Sequence, residues 1–238
     1  MELVVRELGQ CAYPAALALQ EELVARKCGD PLARERGTGQ PGTAGIPSAR
    51  ATDDYLLLLE HDPVYTLGRG ADAADLLGAD ERLGIPVFRV SRGGGVTFHG
   101  PGQLVAYPIL TLAHAGRDVH RYVRRLEAVL LDVCAAFGIG AQRRDGITGV
   151  WVRDAKIASI GVGVRRWTTF HGIALNVSTD LRFFEHIVAC RMPEVRMTSM
   201  AQELNAVPAM RDVRATFVEA FRAEFGYAAA AVPEACRA

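Results

Sequence analysis

Residues 92–103, RGGGVTFHGPGQ, restrict the fold more than any other part of the chain. Three consecutive glycines and then Gly-Pro-Gly make a dense run of backbone positions with special freedom. Glycine accepts positive φ and lets another group approach the main chain closely. On its own the run reads as two tight turns flanking a short strand, VTF, with Arg92 and His99 on the surface. Its alternative is a backbone-lined pocket with Arg92 and His99 as a polar rim. Either way, no regular helix can pass through it.

The surrounding segments supply both kinds of secondary structure. Residues 3–7 (LVVRE) read as a strand and residues 13–25 as a helix. YLLLLE (55–60) is a continuous apolar run that suits a strand buried on both faces. Residues 86–90 and 104–109 are further strand candidates. Val119, Tyr122, Val123, Leu126, Val129, Leu130 and Val133 keep helical spacing over 119–137, with Asp118 to cap the start and Gly138 to end it. GVWV, KIASIGVGV and FHGIALNV read as successive strands, with RRWT as a hairpin turn. A last helix is expected over 210–225, stopped by Gly226. Strands and helices interleave, yet no dinucleotide-binding G-x-G-x-x-G opens a helix and no Walker A motif occurs. The expectation is an α+β fold with a mixed or antiparallel sheet and packed helices, in one domain over residues 1–238. Residues 28–52, rich in Gly, Pro, Arg and Thr, are expected to form a flexible loop.

Charge narrows the function. Lys+Arg and Asp+Glu each number 27, a balance unlike that of a general nucleic-acid or membrane-surface protein. The five cysteines show no C-x-x-C spacing, so neither a disulfide framework nor a zinc knuckle is suggested. The N-terminal residues lack the apolar core of a signal peptide, and no apolar run approaches the ~20 residues of a membrane span. A cytoplasmic location is expected. Lys27 and Lys156 are the only lysines, every other strongly basic residue being arginine, which draws attention to them.

The full string RGGGVTFHGPGQLVAYP resembles the signature of the lipoyl(octanoyl) transferases of lipoate biosynthesis. The resemblance extends, in the same order across residues 61–200, to HDPVYTLGRG (61–70), GITGVWV (146–152), KIASIGVGV (156–164), FHGIALNVSTDL (170–181) and IVACRMPEVRMTSM (187–200). It implies a fold like the catalytic domain of biotin and lipoate ligases, working with no metal, ATP or other cofactor. Octanoyl would leave octanoyl-acyl carrier protein, rest on an enzyme cysteine, and pass to a lysine of a lipoyl domain. The implied acceptors are the lipoyl domains of 2-oxoacid dehydrogenase complexes or the glycine cleavage H protein, and the enzyme is expected to be a monomer. The resemblance places the acyl-thioester cysteine at Cys190 and its partner lysine at Lys156. It places the acyl pocket at Arg92, Gly93, Gly94, Gly95, Val96, Thr97, Phe98 and His99, at Ser159, Ile160 and Gly161, and at Gly172, Ile173 and Ala174. Arg191 departs from the family, which carries glycine after the nucleophile.

The chemistry is coherent in its own terms. A thiolate is a strong nucleophile, but only a few per cent of a thiol with a pKa of ~8.5 is ionised at neutral pH. A nearby ammonium favours the thiolate, and a lysine losing water on burial gives up its proton more readily. On a regular strand Lys156 would share a face with Ala158, Ile160, Val162 and Val164, opposite Ile157, Ser159, Gly161 and Gly163. Read without the resemblance, Lys156 could equally snorkel from a strand end, and Cys190 could be a small buried hydrophobe. His99 and His171 read as pocket-wall or orienting groups. Arg121, Arg124 and Arg125 read as a solvated helix face, or as a docking patch for an acidic partner. Two rivals stand beside the transferase: an ATP-dependent ligase of the same fold, and an inactive acyl- or lipoyl-domain-binding module.

Overall fold

A computed structural model describes residues 2–30, 53–78, 83–188 and 195–228. Residues 31–52 of the expected loop lie outside these, as do Cys190 and Arg191. The main sheet is mixed. Its strands are β1 (Leu3–Cys11), β2 (Asp54–His61), β6 (Gln103–Ile109), β10 (Thr168–Asn176), β9 (Ala155–Arg165), β8 (Ile147–Val152) and β7 (Gln142–Arg144), hydrogen-bonded in that order. β1 and β2 are parallel and the remaining ladders along that path antiparallel. A small second sheet joins β3 (Val64–Leu67) to β4 (Val87–Arg89) and β5 (Val96–His99).

The apolar run in β2 is buried on both faces. Leu56 and Leu58 pack with helices α2 (Val119–Ala136) and α3 (Met210–Phe225), while Tyr55, Leu57 and Leu59 pack under α1 (Tyr13–Lys27). Burying such a leucine contributes about 1.5–3 kcal/mol, so a strand with two apolar faces calls for helices on both sides. The expected caps form. The Asp118 carboxylate accepts from the Arg121 N–H at 2.9 Å, and Gly138 follows α2 with φ +76°. The hairpin between β9 and β10 turns at Arg166 and Trp167 as expected. Among the described residues no helix is long and apolar enough to cross a membrane.

One sequence expectation fails. Val150 pairs with Ala158 but Trp151 pairs with Lys156, so β9 holds an extra residue, Ile157, against β8. A bulge of this kind reverses the alternation of side chains beyond it. Val150, Val152 and Ala158 face α2 and α3. Lys156, opposite Trp151, is therefore turned to the other face, and not to the face of Ala158 and Ile160 that regular alternation predicts. It thereby joins the face that carries Ser159 and Gly161.

Candidate active site

A cleft opens where the small sheet meets β9 and β10. From the glycine-rich run it is lined by Arg92, Gly94, Gly95, Thr97 and His99; from β9 by Ser159, Ile160 and Gly161; and from β10 by Gly172, Ile173 and Ala174. Gly93, Val96 and Phe98 are not among the lining residues. Gly93 N–H donates to the Val162 carbonyl at 2.9 Å, and Val96 and Phe98 pack into the core of the small sheet. Two lining residues are not singled out by the sequence, Tyr13 and Tyr107; a third beyond the expected acyl-pocket positions is His171, which the sequence offers as a pocket-wall or orienting group. His171 stood in a matched motif, but nothing local distinguishes Tyr13 or Tyr107 from ordinary core aromatics. The open space is about 40 Å³, enough for a few waters, so the tail of a longer ligand must part the walls to enter.

The run can lie this close to β9 because position 161 is glycine. A Cβ there would sit 2.9 Å from Arg92 Cδ and 3.1 Å from the Gly93 carbonyl oxygen. Arg92, 7 % exposed, donates to the Thr66 carbonyl and hydroxyl, both at 2.8 Å, and to the Gly93 carbonyl at 2.9 Å. A buried guanidinium with fixed acceptors thus clamps the loop to β3.

Around it sit three histidines held neutral. Burial pushes His61 and His171 down to about 4, with the Arg92 charge adding to the effect on His171, and pushes His99 well below its ordinary value. The tautomers of His61 and His99 follow from partners that can act in one way only. The Cys11 carbonyl, 2.9 Å from His61 Nδ1, must accept, so Nε2 accepts from the Tyr107 hydroxyl at 2.7 Å. Gln103 Nε2 donates to the Phe98 carbonyl and to Asn176 Oδ1, and Asn176 Nδ2 donates to the Thr198 carbonyl. Gln103 Oε1 is then the acceptor for His99 Nδ1–H at 2.7 Å. The chain from His99 through Gln103 and Asn176 ends at Thr198, whose N–H donates to the Lys156 carbonyl at 2.9 Å. It fastens the cleft wall to the strand that carries the lysine.

Lys156 is 2 % exposed, with Nζ 5.5 Å from the centre of the Trp151 ring. Its side chain occupies space left by Gly149, where a Cβ would come within 2.5 Å of Lys156 Cε and 2.8 Å of the Ala158 carbonyl oxygen. Gly149 has φ +126°, and its N–H donates to the Glu127 carboxylate at 3.0 Å. Glu127, buried on α2, is also paired with Arg124 and Arg143. Lys27 forms a separate buried pair with Asp54 at 2.8 Å and has no part in the cleft.

The arginines on α2 prove unequal. Arg124 is engaged by Glu127, and Arg125 by Glu224 and the Phe225 ring. Arg121 is exposed at the edge of a separate cavity of about 600 Å³ lined also by Asp54, Tyr122 and Tyr227. Of the three, Arg121 is the one that can be reversed in charge without cutting one of these internal contacts.

Residues 13–222 match the family model for the lipoyl protein ligase A/B catalytic domain. The octanoyltransferase of Geobacter metallireducens is 44 % identical over 212 residues, covering 89 % of this chain and 88 % of its own. That of Solibacter usitatus is 48 % identical over 200 residues, covering 83 % and 81 %. The chain belongs to the octanoyltransferase family. It is an acyltransferase. Its fold is shared with lipoate ligases at much greater distance. The bipartite lipoate protein ligase of Thermoplasma acidophilum superposes with a TM-score of 0.68 at 16 % identity, covering 98 % of this chain and 88 % of that one. A lipoate-protein ligase A solved with ATP gives the same score and identity, covering 98 % and 89 %.

Gly149→Ala should cost about 2 kcal/mol in urea denaturation, because a clash and an unfavourable φ add together. In a Lys156→Ala background the same change should cost distinctly less. An equal cost in both backgrounds would show that Gly149 does not make room for the lysine.

Stability should also depend on pH in a stated direction. In the unfolded chain His61 and His171 titrate near 6.5, and in the fold at about 4. Between these values the unfolded chain binds protons that the folded one does not, so stability rises with pH through the window. It is full above about pH 6.5 and is lost as the pH falls toward 4. Thermal melts should be level near neutrality and decline below about pH 6.5, less steeply in His61→Gln. A decline that His61→Gln leaves unaltered would assign it to other groups.

Proposed function

We propose that the protein transfers an octanoyl group from octanoyl-acyl carrier protein to a lysine of a lipoyl domain, through a thioester on Cys190. The observation that carries this reading is the placement of Lys156. A bulge turns it to the cleft face of the sheet, burial removes it from water, and a glycine makes room for it. A structural lysine needs none of these provisions. The octanoyltransferase relatives supply the acyl group and the reaction type. The segment with Cys190 leaves the described chain after Val188, whose N–H meets the Asp75 carbonyl, and β11 (Arg196–Met197) pairs directly with Ala155 and Lys156.

In the first half-reaction the Cys190 thiolate attacks the donor's thioester carbonyl. The carbon–sulfur bond to the carrier breaks, and the carrier thiol leaves with a proton supplied through Lys156. In the second, the acceptor's lysine amine attacks the acyl-enzyme, an amide forms, and Cys190 returns as thiolate while the surplus amine proton passes to Lys156. Exchange between thioesters is nearly balanced and thioester to amide runs downhill, so no nucleotide is required. Each tetrahedral intermediate needs hydrogen-bond donors for its oxyanion. The main-chain N–H groups of Gly94 and Gly95, both on the cleft wall, are the candidates.

Intact-mass measurement after mixing with octanoyl-acyl carrier protein should show the gain of one octanoyl group, labile to hydroxylamine and absent from Cys190→Ala. An unmodified wild-type chain that instead consumes ATP and free octanoate would replace this reading with a ligase. Lys156→Arg keeps the charge but not the titratable proton, and should lower the acylation rate by about 10²-fold or more. Full activity in that variant would reduce the lysine to a fixed charge.

A further inference from the structure

His171 is placed against the rules of its own strand. In a regular strand neighbouring side chains point to opposite faces. Here the rings of Phe170 and His171 lie on one side, with centroids 4.9 Å apart and φ +54° at His171. A left-handed backbone is unfavourable for a residue other than glycine, and its persistence points to a constraint imposed by the surroundings. Those surroundings are specific. The His171 N–H, turned out of the ladder with β6, is taken by the Gln20 side chain of α1 at 2.7 Å. The next residue is glycine, where a Cβ would come within 2.3 Å of the Ala106 carbonyl oxygen and 2.7 Å of Pro108 Cδ. Gln20, Gly172 and Pro108 together hold the kink that sets the imidazole on the cleft wall.

The ring so placed has one nitrogen without a partner among the described residues. His171 is 2 % exposed, and its Nε2 is fully buried with no hydrogen bond among the described residues. Of the side chains lining the cleft it alone has such an atom. Arg92 and His99, its polar neighbours on the wall, are already engaged by Thr66 and Gln103. A buried polar group without a partner is costly, so its retention implies a partner that arrives with the ligand. A straight acyl chain offers one polar atom to such a wall, its carbonyl oxygen. We infer that His171 hydrogen-bonds the carbonyl oxygen of the bound acyl group, acting as a neutral donor that fixes the carbonyl's direction in the cleft. This rests on the acyl-transfer reading above. It gives the kink in β10 a function, and it separates recognition of the carbonyl from recognition of the chain.

The test compares two probes on protein carrying Cys190→Ala, so that nothing reacts: S-octanoyl pantetheine, and S-octyl pantetheine with a methylene in place of the carbonyl. With His171 intact, calorimetry should show the carbonyl probe binding about tenfold tighter, the worth of one neutral hydrogen bond in a dry site. In His171→Asn, which tolerates positive φ, that preference should fall to within about twofold, and likewise in His171→Gly should the asparagine variant fold poorly. A preference that survives loss of the ring would overturn the inference, as would equal binding of both probes when His171 is present. If neither probe binds with His171 intact, the acyl reading of the cleft fails and this inference falls with it.

Discussion

The site depends on one close approach: a glycine-rich main chain laid against β9 at a position with no side chain. Gly93 N–H bonds to the Val162 carbonyl and Gly161 leaves the space, while Arg92 ties the same loop to Thr66 on β3. Any side chain at 161 would meet Arg92 and the loop backbone. The contact joins the two sheets and creates the cleft in one step. That is why a run with little secondary structure of its own governs the position of nearly every residue around the site.

Much of this was legible in the amino-acid sequence. The two-sided apolar strand at 55–60, the helix over 119–137 with its Asp118 cap, and the three successive strands after residue 146 are set by local periodicity and punctuation. The segments that carry the family resemblance point to most of the cleft wall. What was not legible depends on ladder register. Alternation along β9 assigns Lys156 to the face of Ala158, and only the pairing with β8 shows that Ile157 is extra. Tyr13 and Tyr107 reach the wall through packing between elements far apart in the chain, and the buried amide pair Gln103 and Asn176 behind it is likewise made by residues distant in sequence. No window of neighbouring residues contains that information.

The polar interior is organised by groups that can act in only one direction. Carbonyl oxygens at Cys11, Phe98 and Thr198 fix the roles of His61, Gln103 and Asn176, and through them those of Tyr107 and His99. Such a network has no freedom to reorient when a ligand arrives, so a reacting group meets dipoles already aligned. With the histidines neutral, Arg92 is a full positive charge on the cleft wall, a setting that favours an anionic sulfur and a developing oxyanion over any cationic guest.

The changeover of strands beside β9 has a consequence for how the site responds to damage. Along most of its length β9 is flanked by β10, but at Ala155 and Lys156 that place is taken by the two-residue β11. So short an edge rests on few hydrogen bonds, among them Thr198 N–H to the Lys156 carbonyl and Asn176 to Thr198. The main sheet owes little to it. Loosening this edge would admit water to the buried Lys156 while the long ladders of the main sheet stay paired, so hydration of the lysine and thermal resistance can change independently. A melting curve therefore does not report whether this amine is still dry.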